Sequence, residues 1–256
     1  MNILITGAAG SIGSELCRQL CKKQTIIAVD QDESGLFDID GVIPEIGNIR
    51  NRDRMGELFL KYRPKVVFHC AAYKHLSNYE REHLEEVVLT NVIGTLNIIK
   101  LCERYKSKLV FISTDKAVNP TSLMGTTKLL GEIMVKRCGG IVVRFGNVMG
   151  SRGSVIPIWE KQFEKKVPLT ITDRRMKRYF MTIHDACELV IKAVKIGKGG
   201  NTVILDMGEQ KHITDIANDL FPEYPIKLTG AKQGEKLEEE LMTEEEKKRA
   251  TKNKGN

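Results

Sequence analysis

The residues that most restrict how this chain can fold lie at its amino terminus. Asn2–Thr6 reads NILIT, a short β-branched run, and the glycine-rich stretch TGAAGSIG begins on its last residue. Gly7, Gly10 and Gly13 are spaced G-x-x-G-x-x-G. Beyond them Ile12, Leu16 and Leu20 recur at helical spacing in SIGSELCRQLCKK. A strand that turns through glycines into a helix needs a tight turn, close backbone approach and close helix–strand packing. It also leaves backbone N–H groups open at the helix amino terminus, where an anion can sit. Glycine spacing alone is a weak signal; the strand before it and the helix after it supply the context. The expectation is a βαβ unit that holds the pyrophosphate of a dinucleotide.

The rest of the chain repeats that unit. Apolar runs recur at TIIAVD (25–30), KVVFHCAA (65–72), KLVFIST (108–114) and GIVVRFGNV (140–148), with helical patterns at 84–105 and 123–138 between them. Strands apolar on both faces belong to a parallel sheet covered on each side by helices. The fold class is α/β: a Rossmann-type, doubly wound parallel sheet with a smaller, interleaved carboxyl-terminal substrate-binding lobe. The nucleotide-binding domain is expected over 1–148 and the lobe over 149–256, with about 181–206 returning to the first domain. The charged last dozen residues, about 12, are expected to fray.

Composition narrows the function classes. Hydrophobic residues make up 41% and charged residues 29%, ordinary for a globular protein. No apolar run approaches the ~20 residues of a membrane span, and the first residues carry no basic leader pattern, so a cytoplasmic location without a signal peptide is expected. The net charge is +7, part of it in the tail KKRATKNKGN. No helix-turn-helix, zinc-finger or basic-aromatic pattern accompanies it, so anionic small substrates are the expected partners rather than nucleic acid. The cysteines Cys17, Cys21, Cys70, Cys102, Cys138 and Cys187 form no C-x-x-C, and the five histidines have no ligand spacing. Reduced thiols and no metal are expected. Asp30 ends the second apolar run, 17 residues after Gly13, and Gln31 and Asp32 follow it in place of an arginine. A carboxylate there bonds an adenosine ribose diol and repels a 2′-phosphate, which selects NAD over NADP.

One spacing needs explanation. In FISTDKAVNPTSLMGTTKLLGE, residues 111–132, Met124 stands four residues before Lys128. Many nucleotide-dependent oxidoreductases read Tyr-x-x-x-Lys there, and a thioether cannot do the tyrosine's work as a base. Around it, AAYKHL, TNVIGTLN, STDKAVNPTSLMGTTK, RFGNVMGSRGSVIP, RRMKRYFMTIHDA, LDMGE and GEKLEEEL follow in order from residue 2 to about 245. This series resembles the polysaccharide-biosynthesis (CapD-like) nucleotide-sugar 4,6-dehydratases and related epimerases among the extended short-chain dehydrogenase/reductases. It is similar to the subset that carries methionine in the tyrosine slot.

The resemblance implies roles. Gly7, Gly10, Ser11, Ile12 and Gly13 would cradle the NAD pyrophosphate, with Asp30, Asn48, Ile49, Ala71 and Ala72 along the cofactor and Lys128 at the nicotinamide ribose. Asn91 would support the active-site helix. Lys74, His75, Asn147, Ser154, Val155 and Arg178 would meet a UDP-sugar, UDP-N-acetylglucosamine above all. A homo-oligomer is implied. Two further departures are Asn48 where the family has Asp, and Lys232-Gln233 where it has Arg-Pro. A 4,6-dehydratase oxidises carbon 4, eliminates water across carbons 5 and 6, and reduces carbon 6. Asp115 would be the acid at the carbon 6 hydroxyl and Lys116 the base at carbon 5, its proton loosened by a cationic nicotinamide and Lys128. Thr114 and Asp115 would take the carbon 4 hydroxyl proton, leaving Met124 to pack. An epimerase, or a non-catalytic NAD-binding regulator, are the alternatives.

Overall fold

The computed structural model describes residues 1–75 and 82–252. Leu76 of the AAYKHL motif and residues 253–256 of the basic tail lie outside the described residues. Thirteen strands occur among the described residues: β1 (Asn2–Thr6), β2 (Thr25–Asp30), β3 (Ile43–Ile46), β4 (Val66–His69), β5 (Lys108–Thr114), β6 (Ile141–Phe145), β7 (Asn147–Val148), β8 (Leu169–Ile171), β9 (Lys177–Arg178), β10 (Phe180–Met181), β11 (Thr202–Ile204), β12 (Lys211–His212) and β13 (Ile226–Leu228).

Seven of them form one parallel sheet in the order β11-β6-β5-β4-β1-β2-β3. Alternate side chains of each strand enter different cores. Ile3 and Ile5 join Leu16 and Cys187 on one face, and Leu4 joins Phe59 and Ile98 on the other. The sheet grows in one direction from β1 to β3 and in the other from β4 to β6. The crevice above the carboxyl ends of β1 and β4 is therefore the topological switch point, where such sheets bind ligands. Helix Ile183–Ile196 packs on the Ser11–Leu20 helix, and β11 completes the sheet beside β6.

The lobe has its own core of Trp159, Leu169, Ile171, Met176, Ile213 and Ile216. Trp159 is fully buried and donates its indole N–H to Thr170 O at 2.9 Å. Three two-stranded pairings organise it: β10 with β7, β12 with β9, and β13 with β8.

Part of the charged carboxyl-terminal segment is held against the sheet. Glu244–Arg249 is helical and opens with a capping box between Thr243 and Glu246. Glu246 pairs with Arg144, 2.8 Å away, and Arg144 is itself 1% exposed. The expected fraying is thus corrected for residues 244–249: a buried guanidinium holds that turn against β6. Among the described residues, no helix is long and apolar enough to cross a membrane.

Candidate active site

The glycine loop is built as the sequence demands. Gly7 has φ +68°, and a Cβ on it would stand 2.6 Å from Ala71 N. A Cβ on Gly13 would stand 2.1 Å from Gly7 O. Neither position can carry a side chain without moving backbone. Gly10 precedes the Ser11–Leu20 helix and supplies no side-chain cap, so the first N–H groups of that helix point out of it without intrahelical acceptors. Asp30 stands across the groove with its carboxylate already fixed: Oδ2 accepts from Ala9 N at 3.0 Å, and Oδ1 from Gln31 N at 2.8 Å and Asp32 N at 3.1 Å. Asn48, Ile49, Ala71 and Ala72 line the same groove, together with Cys70, Tyr73 and Thr90. Asn48 donates to Gln31 Oε1 at 2.9 Å and accepts from Arg50 N at 2.9 Å.

Below this groove lies a buried polar chain that no periodicity announces. Thr95 Oγ1 donates to Asn91 O at 2.7 Å and lies 3.0 Å from His69 Nε2, while His69 Nδ1 lies 2.7 Å from Thr6 Oγ1. The Thr95 hydroxyl has spent its one proton, so Nε2 carries the ring hydrogen and Nδ1 accepts from Thr6. His69 is 1% exposed; burial, and then the nearby Lys128 cation, push it down to about 3, so it is a neutral strut. Asn91 sits in a π-helical turn, Leu89–Gly94. Its side chain accepts from Tyr73 N at 2.8 Å and donates to Tyr73 O and to Thr127 Oγ1, each at 3.0 Å. One amide thus pins the segment after β4 to the helix Leu123–Arg137.

That helix carries Met124 and Lys128. Ser122 caps it by accepting from Gly125 N at 3.1 Å. Met124 is 3% exposed. Lys128 Nζ donates to Ile112 O and lies 4.0 Å from the centre of the Phe111 ring. Burial pushes Lys128 down to about 8, against the opposing charges of Glu132 and Cys70.

β5 ends at Thr114 and a 3-10 turn, Asp115–Ala117, follows. Three side chains meet there. Thr114 Oγ1 donates to Asp115 Oδ1 at 2.9 Å, and Lys116 Nζ donates to the same oxygen at 2.9 Å. Lys116 also donates to Asn147 Oδ1 at 3.1 Å. Asp115 is fully buried, and its Oδ2 has no hydrogen-bond partner. The charges closest to Lys116 are carboxylates, not the cations that the sequence argument set beside it. The second carboxylate is Glu239, 4.0 Å away.

On the lobe side, Lys74 Nζ reaches Ser151 Oγ at 3.4 Å, and the His75 ring packs on Gly153. Burial and then Lys116 hold Lys74 down; burial and then Lys74 and Lys232 do the same to His75. Ser154 precedes the helix Val155–Glu164, and its buried Oγ has no partner. The backbone N–H of Arg152 donates to Ser11 Oγ at 3.0 Å, so the loop after β7 rests on the glycine loop. Arg178 is engaged elsewhere: it donates to the carbonyls of Lys236, Leu237 and Lys177. It anchors the GEKLEEEL segment rather than standing open.

That segment contributes the residue that sequence reasoning missed. Glu239 is 2% exposed, and its Oε2 has no hydrogen-bond partner. Three consecutive glutamates give no sign of which one turns inward. The only signal was the position of the motif itself.

Comparison with known proteins agrees with this architecture. A family model described as "Polysaccharide biosynthesis protein" matches residues 3–256. The probable polysaccharide biosynthesis protein EpsC of Bacillus subtilis is 42% identical over 95% of this chain, which spans 45% of that relative. The UDP-N-acetylglucosamine 4,6-dehydratase (inverting) of Campylobacter jejuni is 34% identical over 96% of this chain and 78% of its own length. The X-ray structure of Pen from Bacillus thuringiensis superposes with a TM-score of 0.88 at 37% identity, covering 96% of this chain and 83% of that one. The motifs, the switch-point groove and these likenesses lead to one assignment: the chain belongs to the polysaccharide biosynthesis protein family.

Proposed function

We propose that the chain is an NAD-dependent 4,6-dehydratase of UDP-N-acetylglucosamine, supplying a 4-keto-6-deoxy sugar nucleotide for glycan synthesis. The observation that carries this reading is the Thr114–Asp115–Lys116 cluster, with a buried carboxylate oxygen left open. The named activity of the Campylobacter relative supports it.

The residues present fit a dinucleotide. Gly7 and Gly13 let the turn pack backbone against backbone, Gly7 and Gly10 line the groove, the first N–H groups of the Ser11–Leu20 helix are open, and Asp30 is fixed as an acceptor in the same groove. Lys128, held down to about 8 by burial, sits at the family position for the nicotinamide ribose. When bound, the nicotinamide takes up and returns the two electrons of the carbon 4 alcohol. The residues of the chain handle protons.

The proton balance assigns each residue a step. Oxidation at carbon 4 releases the hydroxyl proton. Elimination breaks the carbon 5–hydrogen bond, whose proton goes to Lys116, and the carbon 6–oxygen bond, whose hydroxide takes a proton from Asp115 and leaves as water. Reduction at carbon 6 is matched by return of the Lys116 proton to carbon 5. Over one cycle, then, Asp115 loses one proton and the carbon 4 hydroxyl has one to give. Thr114, already hydrogen-bonded to Asp115, is suited to pass it on. A tyrosine is not required to close that balance, which gives Met124 a packing role.

Burial, and then the Lys116 charge, lowers the proton affinity of Lys74; burial, and then Lys74 and Lys232, lowers that of His75, and a diphosphate would relieve that repulsion. The UDP-glucose 4-epimerase of Rickettsia rickettsii, 32% identical over 95% of this chain, supports an epimerase as the second reading. Incubation with NAD and UDP-N-acetylglucosamine, followed by mass spectrometry, separates them. Loss of one water is expected. A changed sugar at unchanged mass would establish the epimerase instead.

A further inference from the structure

Lys116 has three ammonium hydrogens to place. Asp115 Oδ1 and Asn147 Oδ1 accept two of them, at 2.9 and 3.1 Å. A second carboxylate oxygen, Glu239 Oε1, lies 4.0 Å away, an electrostatic contact without a hydrogen bond. Glu239 comes from a distant part of the chain and is 2% exposed. Its backbone carbonyl is tied to Gln210 Nε2 at 2.6 Å, and its Oε2 lies 3.8 Å from Lys236 Nζ. Lys236 in turn donates to Val118 O at 2.6 Å, just beyond the turn that bears Asp115 and Lys116. Among the described residues, Asp115 Oδ2 and Glu239 Oε2 are the two buried carboxylate oxygens without a hydrogen bond. Both belong to carboxylates that flank Lys116.

A carboxylate sealed in this way is costly unless something compensates it. No partner fully does so here: burial raises Glu239, Asp115 raises it further, and Lys116, Arg178 and Lys236 only partly oppose them. A residue serving the fold alone would be better paired, as Glu132 is with Ser113 and Arg144.

We propose that Glu239 is a positioning residue for Lys116, holding its ammonium in place at the mouth of the site and setting the pH at which it becomes a base. The proposal rests on the reading of Lys116 as the carbon 5 base. A neutral Lys116 keeps its hydrogens toward Asp115 and Asn147 and carries its lone pair in the third direction. The negative charge of Glu239 opposes that state, so it makes Lys116 a stronger base that is free only at higher pH. Among the described residues, the charged groups facing Lys116 are Asp115 on its own turn, Glu239 from the carboxyl-terminal segment and Lys74 from the segment after β4.

The test is direct titration of Lys116 by carbon NMR in the full chain, with lysines labelled at Cε and the signal assigned by its loss in Lys116→Ala. Glu239→Gln keeps the shape and removes the charge. Its Lys116 midpoint is expected to fall by about one pH unit, the size of effect typical for a close opposite charge; Glu239→Asp, which restores the charge, should recover part of the change. An unmoved Lys116 signal in Glu239→Gln would overturn the proposal. The acid limb of kcat/KM should move down with the signal. If the signal moves and that limb does not, the Glu239–Lys116 coupling stands and the base assignment of Lys116 fails.

Discussion

Met124 is where a single side chain says most about chemistry. It is almost fully buried at the first turn of the Leu123–Arg137 helix. Met124→Leu nearly conserves volume and should cost less than about 1.5 kcal/mol, with turnover little changed. Met124→Tyr should leave activity equal or lower, because a phenol would compete with Thr114 for the carbon 4 hydroxyl. Thr114→Val removes the hydroxyl proposed as the proton relay and should nearly abolish NADH formation in a single turnover. A tyrosine variant faster than the parent, or a valine variant of normal rate, would put that proton on another group. Asp115→Asn and Lys116→Ala should each lower turnover by roughly 10²- to 10⁴-fold, as lost general acids and bases do, with nucleotide-sugar binding retained by calorimetry. Gly13→Ala places a methyl 2.1 Å from a backbone oxygen. It should eliminate dinucleotide binding while leaving the far face of the sheet folded.

Among the elements, one buried clamp joins β5, β6, the helix Leu123–Arg137 and the helix Glu244–Arg249. Glu132 accepts from Ser113 at 2.6 Å and from Arg144 Nη2 at 2.6 Å, and Arg144 also reaches Leu241 O and Glu246. Glu132→Ala strips a buried guanidinium of its inner partner and should cost about 3–5 kcal/mol in urea unfolding. Thr243→Ala removes only a cap and should cost about 1 kcal/mol. Much of the framework was legible in the sequence: β2 and β5 match the apolar runs TIIAVD and KLVFIST residue for residue. Apolar alternation reports a strand's faces, so it found the central strands. It missed β3, whose IPEI is half exposed and broken by Pro44, and it joined β6 to β7 across Gly146. Local patterns also cannot show long-range polar pairing. Arg144 and Glu246 lie 102 residues apart and Lys116 and Glu239 further still, so each read as one more charged residue. The Thr114–Asp115–Lys116 cluster was legible because its members are adjacent in the chain.

At the scale of the whole molecule, buried thiols set the response to alkali. Burial pushes Cys17 and Cys187 up to about 12 and also raises Cys70, Cys102 and Cys138, from an ordinary 9.0. Unfolded thiols release protons near pH 9 while folded ones keep them, so this stabilisation is whole below that pH and is lost as pH rises toward 12. Lys128 acts in the opposite sense between about 8 and 10.5, where the unfolded chain binds the extra proton. Several thiols outweigh one ammonium. The urea midpoint should therefore fall between pH 9 and 11, and fall less steeply in Cys17→Ala. The hydrogen bond from Arg152 to Ser11 has a kinetic consequence as well. It ties the loop after β7, the segment proposed to meet the nucleotide sugar, to the first turn of the helix that follows the glycine loop. If that loop closes on a nucleotide sugar, a dinucleotide seated at the glycine loop should leave more slowly. UDP is expected to slow NAD dissociation in a stopped-flow chase. The protein would then keep one cofactor through many turnovers, like a tool bolted to the bench, and depend little on the redox state of the pool around it.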